Sequence, residues 1–289
     1  MTQNQTLTTD SPLDISHCIT RALEEDIGSG DVTTDSIVPA GALLRGRIIA
    51  KQDGIVAGLE VANEVFRALN KNIIFDAKVE DGSQVTKTTV LAELNGDARA
   101  LLTGERTALN FLGRMSGIAT LTRQFVRAVE GTRAKIADTR QTTPGMRMLE
   151  KHAVLLGGGV NSRFGLDDGI CVEPNHAALA GGLRAAVKSA GENIGHIHRI
   201  GAVVSTKDEI KEAIEAGATV LELHVQIEDA QSCVQYAREL SPAASIEIGG
   251  EITMDNVRRY AESGADIIRV AALTQSVRAM AISFQIQVS

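Results

Sequence analysis

The feature that most constrains this chain is the regular alternation of short apolar runs and longer amphipathic stretches from Lys135 to Val270. AKIAD, GICV, AVVS, TVLELHV, SIEIG and DIIRV read as strands. Between them, apolar residues recur at helical spacing near 145–156, 177–190, 207–215, 228–240 and 254–263. Strands joined by helical crossovers pair in parallel, and a parallel sheet needs cover on both faces, so this region is predicted to form a barrel-like or doubly wound α/β domain. In either architecture, chemistry collects at the C-terminal ends of the strands. Those ends carry Asp138-Thr139-Arg140, Glu173, Ser205, His224 and Gly249-Gly250.

The first third has a different rhythm. Ile15, Ile19, Leu23 and Ile27 recur at four-residue spacing, which predicts a helix with Ser11 or Asp14 as its N-cap and Gly28, Gly30 and Asp31 at its end. Strand-like runs follow at 43–51, 73–79 and 90–94, with a helical segment at 59–69 and an Asp81-Gly82 turn. This is an α+β arrangement rather than a repeating βα unit. Residues 97–129 are mainly helical, punctuated by Gly113 and Gly117, and are expected to bridge two domains. The length of 289 residues favours two domains over one.

Charge and composition exclude several classes of function. A net charge of −7 with no Trp, two Tyr and six Phe provides neither a basic stripe nor a stacking surface, so no nucleic-acid partner is expected. The polar N-terminus has no basic-then-apolar leader and no later run approaches a membrane span, which predicts no membrane partner and a cytoplasmic protein. Cys18, Cys171 and Cys233 lack metal-ligand spacing and read as buried free thiols.

Four segments carry a specific resemblance: GERTALNFLGRMSGIAT (104–120), DTRQTTPGMR (138–147), GGGVNSRFGLDD (157–168) and the Asn175-His176 pair. DVTT (31–34), VEDGSQV (79–85) and AALTQSV (271–277) extend it. Together they resemble the quinolinate phosphoribosyltransferase family over nearly the whole chain. The resemblance implies an N-terminal α/β sandwich over 1–115, joined by residues 273–289, and an open, TIM-like α/β barrel over 116–272. It also implies a homodimer with sites at the subunit interface, a magnesium cofactor, and transfer of a phosphoribosyl group to quinolinate with release of carbon dioxide and pyrophosphate.

Such a reaction asks for paired cations facing two ring carboxylates, for which arginine's planar fork is suited. Arg106, Arg140 and Arg163 stand where the family's carboxylate-binding arginines stand, Arg106 reaching the neighbouring subunit's site. Gln141, Thr142, Ser162, Gly249 and Gly250 fall at ligand-contacting positions of the family. Asp138 is expected to orient its neighbours, His176 to cap a helix, and the loop Thr142-Thr143-Pro144-Gly145 either to offer amides to an anion or simply to make a turn.

The donor half departs from the family. Where the resemblance leads one to expect lysine, histidine and lysine, the chain has Gln141, Ser162 and Glu173. A metal- and ribose-binding glutamate becomes Val203, a Leu-Asp-Asn strand end becomes Leu223-His224-Val225, a Ser-Gly-Gly phosphate turn becomes Gly249-Gly250-Glu251, and a final histidine becomes Gln275. Magnesium's ligands are thus lost in sequence. The family reaction is therefore expected to be weak or absent, with binding of a small aromatic or related carboxylate retained. Alternatives are a decarboxylase- or lyase-like enzyme that acts on a carboxylate without a phosphoribosyl donor, and a noncatalytic carboxylate-binding relative. Glu222 and His224 share a strand face, and Glu247 on the next strand points the same way. With Glu173 they are the catalytic candidates, as an acid–base or metal cluster; a hydrogen-bonded structural role is the plainer account of the His–Glu pair.

Overall fold

The computed structural model describes residues 15–195 and 197–287, so the proposed caps Ser11 and Asp14, and His196, lie outside the described residues. In chain order the elements are α1 (Ile15–Ile27), α2 (Val32–Ile37), β1 (Leu43–Ala50), β2 (Gly54–Ile55), α3 (Leu59–Leu69), β3 (Ile74–Ala77), β4 (Gln84–Val85), β5 (Val90–Asp97), α4 (Ala98–Ala128), β6 (Lys135–Ala137), α5 (Arg147–Leu156) and β7 (Ile170–Val172). They continue as α6 (Pro174–Leu179), α7 (Leu183–Asn193), β8 (Ile200–Val204), α8 (Lys207–Ala216), β9 (Val220–Leu223), α9 (Ile227–Leu240), β10 (Ser245–Ile248), α10 (Val257–Ala261), β11 (Ile267–Arg269), α11 (Ala272–Gln275) and β12 (Ile282–Ile286).

The chain divides into two compact units, one formed by residues 1–121, 143–157 and 277–289, the other by 122–142 and 158–276. The first holds an antiparallel sheet in the order β12-β1-β5-β3 and the small β2-β4 pair. Its α1 buries Ile15, Ile19 and Leu23, the apolar face marked by their spacing, and packs with α3. Gly28 closes α1, while Asp31 starts α2 by accepting from the Thr34 amide at 3.0 Å.

Gly113 and Gly117 do not break α4, which runs unbroken through both. Their missing side chains serve packing. A Cβ on Gly117 would lie 2.2 Å from the Arg278 carbonyl oxygen and one on Gly113 would lie 3.0 Å from that of Met280, whose amide donates to the Gly113 carbonyl at 2.8 Å. The helix thus receives the segment leading into β12. In the same unit Glu150 of α5 is fully buried, where it accepts from Arg114 at 2.8 and 3.0 Å and from the Thr143 amide at 3.0 Å.

The second unit is a six-stranded, all-parallel sheet in the order β6-β11-β10-β9-β8-β7. A single parallel bridge, Ala137 to Val160, lies beyond β6, and β6 and β7 are not paired with each other, so the barrel is open. Leu221, Leu223, Ile246, Ile248 and Ile268 are fully buried on the outer face of the strands. Each such side chain contributes about 1.5–3 kcal/mol when taken out of water. α8 begins with a reciprocal Thr206–Glu209 capping box and ends at Gly217 with φ 108°. The single helix expected near 177–190 is two, because Gly181 and Gly182, with φ 85° and 126°, separate α6 from α7. No described helix is long and apolar enough to cross a membrane. Cys233 is buried as expected, whereas Cys18 and Cys171 are half-buried; all are free thiols.

Two substitutions test this packing by thermal or urea unfolding. Gly117→Ala forces a methyl group onto a backbone carbonyl and should cost about 3 kcal/mol, the upper end for overpacking. Glu150→Ala removes the carboxylate paired with a largely buried arginine and should cost about 3–5 kcal/mol, with Glu150→Gln costing less.

Candidate active site

Strand register in the second unit places Val203, Glu222, Glu247 and Ile267 side by side across β8, β9, β10 and β11. Because side chains alternate, Glu222 and Glu247 point away from the apolar outer residues and into the barrel. Arg269 lies two residues beyond Ile267 on that inner face. It forms an ion pair with Glu222 and lies 3.9 Å from Glu247, with side-chain exposures of 16% for Arg269, 12% for Glu222 and 20% for Glu247. The other Glu222 oxygen meets His224 Nε2 at 3.0 Å. The pair Glu222–His224 is therefore real, and its anchor is an arginine that pattern analysis missed. The available signal was an arginine at an alternate position of the apolar run DIIRV.

Gly249 follows β10 and is buried. A Cβ there would lie 2.4 Å from Glu222 Oε1 and 2.8 Å from His224 Nε2, so the acid–histidine pair occupies the volume that a side chain at Gly249 would need. Gly250, with φ 107°, makes the exposed turn that follows. Glu251 is exposed.

Cys171 and Glu173 extend the cluster from β7, the thiol donating weakly to Glu173 Oε1 at 3.8 Å. Burial pushes the Cys171 thiol up to about 11, reinforced by the negative charges of Glu222 and Glu173 and opposed by Arg163 and Arg269. Cys171 is thus protonated at neutral pH and is no thiolate nucleophile. The His224 imidazole is raised above its ordinary value, chiefly by the hydrogen bond to Glu222 and against the effect of its own burial. Glu247 is raised by burial, with Arg269 pulling the other way.

The remaining candidates sit at the same C-terminal end of the sheet, on the loops after β6 and before β7. Asp138, fully buried, accepts from both the amide and the hydroxyl of Ser162, at 2.7 and 2.9 Å, which fixes one loop on the other. The Ser162 hydroxyl therefore faces Asp138. Arg163 donates to the Gly169 carbonyl at 2.8 Å and its charge is felt at Cys171. Arg140 and Thr142 are half-buried and Gln141 is exposed, its carbonyl held by Thr274 Oγ1 at 2.7 Å. The loop after Arg140 offers fewer open amides than its sequence allows: Thr142 N donates to the Arg140 carbonyl and Thr143 N to Glu150. His176 Nδ1 accepts from the Glu173 amide, so His176 does cap α6. Arg106 is exposed on α4, in the first unit.

A resident magnesium ion does not fit these residues. Magnesium takes oxygen ligands, usually one or two carboxylates beside substrate phosphate and water. Val203 offers only an apolar side chain, and Glu222 is already engaged by Arg269 at one oxygen and by the His224 ring at the other. Among the described residues no group of three His, Cys, Asp or Glu is placed to hold a metal.

Residues 31–116 match the model of the quinolinate phosphoribosyl transferase N-terminal domain, and residues 118–285 that of its C-terminal domain. The chain is 41% identical over 266 residues to a probable carboxylating nicotinate-nucleotide pyrophosphorylase of Bacillus subtilis, covering 92% of this chain and 91% of that protein. It is 37% identical over 282 residues to the carboxylating nicotinate-nucleotide pyrophosphorylase of Mycobacterium leprae, covering 93% and 95%. The crystal structure of NadC from Streptococcus pyogenes superposes with a TM-score of 0.91 at 31% identity, over 98% of each chain. The two domain models, read with these full-length matches, show that this chain belongs to the quinolinate phosphoribosyltransferase family.

Proposed function

We propose that this protein is a pentosyltransferase-type enzyme that binds a small aromatic carboxylate through Arg140 and Arg163, and in which transfer from phosphoribosyl pyrophosphate is absent or strongly reduced. The names of its relatives, nicotinate-nucleotide pyrophosphorylases, support the enzyme class and a small-molecule substrate. Retention of Arg106, Arg140 and Arg163 supports quinolinate or a close analogue as the acceptor. Arg106, exposed on α4, serves a neighbouring subunit's site in this reading, as the family resemblance implies, and the working form is a homodimer.

One observation carries the proposed loss of donor chemistry: Glu222, held between Arg269 and His224, fills the space above Gly249. A sugar pyrophosphate brings several negative charges and needs cations or magnesium to hold them. Here it would meet Glu173, Glu222 and Glu247 in the barrel and Glu251 at its rim, with Arg269 already shared between Glu222 and Glu247. Like-charge contact costs several kcal/mol, so donor binding should fall by about a thousandfold or more.

Separate calorimetric titrations of quinolinate and of phosphoribosyl pyrophosphate with magnesium, followed by an assay for nicotinate mononucleotide, test the proposal. The expected outcome is quinolinate binding with weak or no donor binding and little product; tight donor binding with ordinary turnover would overturn it. Arg140→Ala and Arg163→Ala should each abolish quinolinate affinity, and an unchanged titration for both would refute the carboxylate pocket.

A further inference from the structure

Arg106 is exposed on α4 and makes no hydrogen bond or ion pair among the described residues. What places it is therefore the helix that carries it. One segment of the same unit, residues 26–38, is tied to α4 turn after turn. Thr107 Oγ1 donates to Asp26 at 3.2 Å and Thr103 Oγ1 to Asp31 at 3.0 Å, while Arg99 donates to the Val38 carbonyl at 2.7 and 2.9 Å and pairs with Asp35 at 3.4 Å. As the segment advances, its partners recede from Thr107 to Thr103 to Arg99, so the two run antiparallel. Positions four apart form one stripe of a helix, and at about 3.6 residues per turn Arg106 lies about 20° from Arg99 and about 60° from Thr103 around the axis. The anchors thus bracket Arg106 on its own face.

Local chemistry accounts for this path. Gly28 and Gly30, with φ 56° and 142°, turn the chain between α1 and α2 and set the Asp26 and Asp31 carboxylates against hydroxyls one helical turn apart. One Asp31 oxygen accepts from the Thr34 amide and starts α2, while the other accepts from Thr103. Those hydrogen bonds, Thr34's first, hold the Asp31 carboxyl below its ordinary value. Apolar burial does not explain the attachment, because α2 buries only Thr34 and leaves Val32 and Ile37 exposed.

We propose that residues 26–38 are a positioning element for Arg106: by gripping α4 at Arg99, Thr103 and Thr107, they fix where its guanidinium stands against the acidic group of the ligand. Asp26, Asp31, Thr103 and Thr107 touch no ligand and act through Arg106 alone. The inference rests on the reading of Arg106 as a carboxylate-binding residue given above. A long side chain on an exposed helix face delivers its charge only as accurately as its backbone is held, and a misplacement of about 1 Å can cost on the order of a hundredfold in a preorganised site. The DVTT run (31–34) thereby acquires a role, its Asp being the shared acceptor and its final Thr the amide donor.

Calorimetric titration of the full chain with quinolinate tests this through a double-mutant cycle. Thr103→Val combined with Thr107→Val removes both hydroxyls, and affinity should fall about tenfold. Thr103→Ser with Thr107→Ser keeps both donors and should keep the affinity. Arg106→Ala should weaken binding at least as much as the double Thr→Val variant, and combining the two should then cost nothing further. Urea unfolding checks the fold of each variant, and each Thr→Val change is also measured singly, so that a poorly folding combination does not decide the result. Equal losses from the Thr→Val changes with and without Arg106, or no loss from them while Arg106→Ala weakens binding, would overturn the positioning role and leave the reading of Arg106 standing. An unchanged titration for Arg106→Ala, or no quinolinate binding by the unaltered chain, would overturn that reading and this inference with it.

Discussion

The inner face of the parallel barrel holds charge where branched apolar side chains usually interdigitate, and the pairing of those charges is the condition on which the site rests. A carboxylate moved out of water loses several kcal/mol of solvation unless a cation and hydrogen bonds replace it. Arg269 supplies that replacement for Glu222 and, at longer range, for Glu247. Its Nε is buried without a hydrogen-bond partner among the described residues, so the guanidinium is not fully satisfied by the protein. The network is a compromise among several groups rather than a single closed pair.

Viewed this way, the differences from the family pattern are not independent. Glu222 needs Arg269; His224 is oriented by Glu222; and both need Gly249 to lack a side chain. A serine at that position would collide with the pair. Such coupling makes single reversions at these positions costly, because each one breaks an arrangement that the others maintain.

The fold was legible because its signals are periodic. Alternation of apolar runs with helical spacing located the parallel strands, and the four-residue repeat of Ile15, Ile19 and Leu23 located the buried face of α1. Where the signal was a single glycine, the outcome depended on what came near it: Gly113 and Gly117 stayed inside α4 because a remote segment packs on them, while Gly181 and Gly182 took positive φ and divided a helix. At the strand ends, the shared face of Glu222 and His224 could be read directly, and the two side chains are hydrogen-bonded. Arg269 could not, because an arginine in a short apolar strand has no motif of its own and its partners lie 47 and 22 positions away in sequence. The same holds for Arg114 and Glu150, 36 positions apart.

The pairing of β12 with β1 joins Gly46 to Ile286, so the first unit's sheet is completed by one of the last segments of the described chain. Every strand of the second unit is synthesised in between. During translation the barrel strands can therefore emerge and pair while the earlier sheet still presents β1 with an open edge. An unpaired edge recruits other strands, its own kind included. Long-range closure of this kind slows folding, and the bare helix surface at Gly113 and Gly117, which receives the segment just before β12, gives the late-arriving strand a defined place to dock. Two glycines in a long helix thus bear on the time the nascent chain spends exposed.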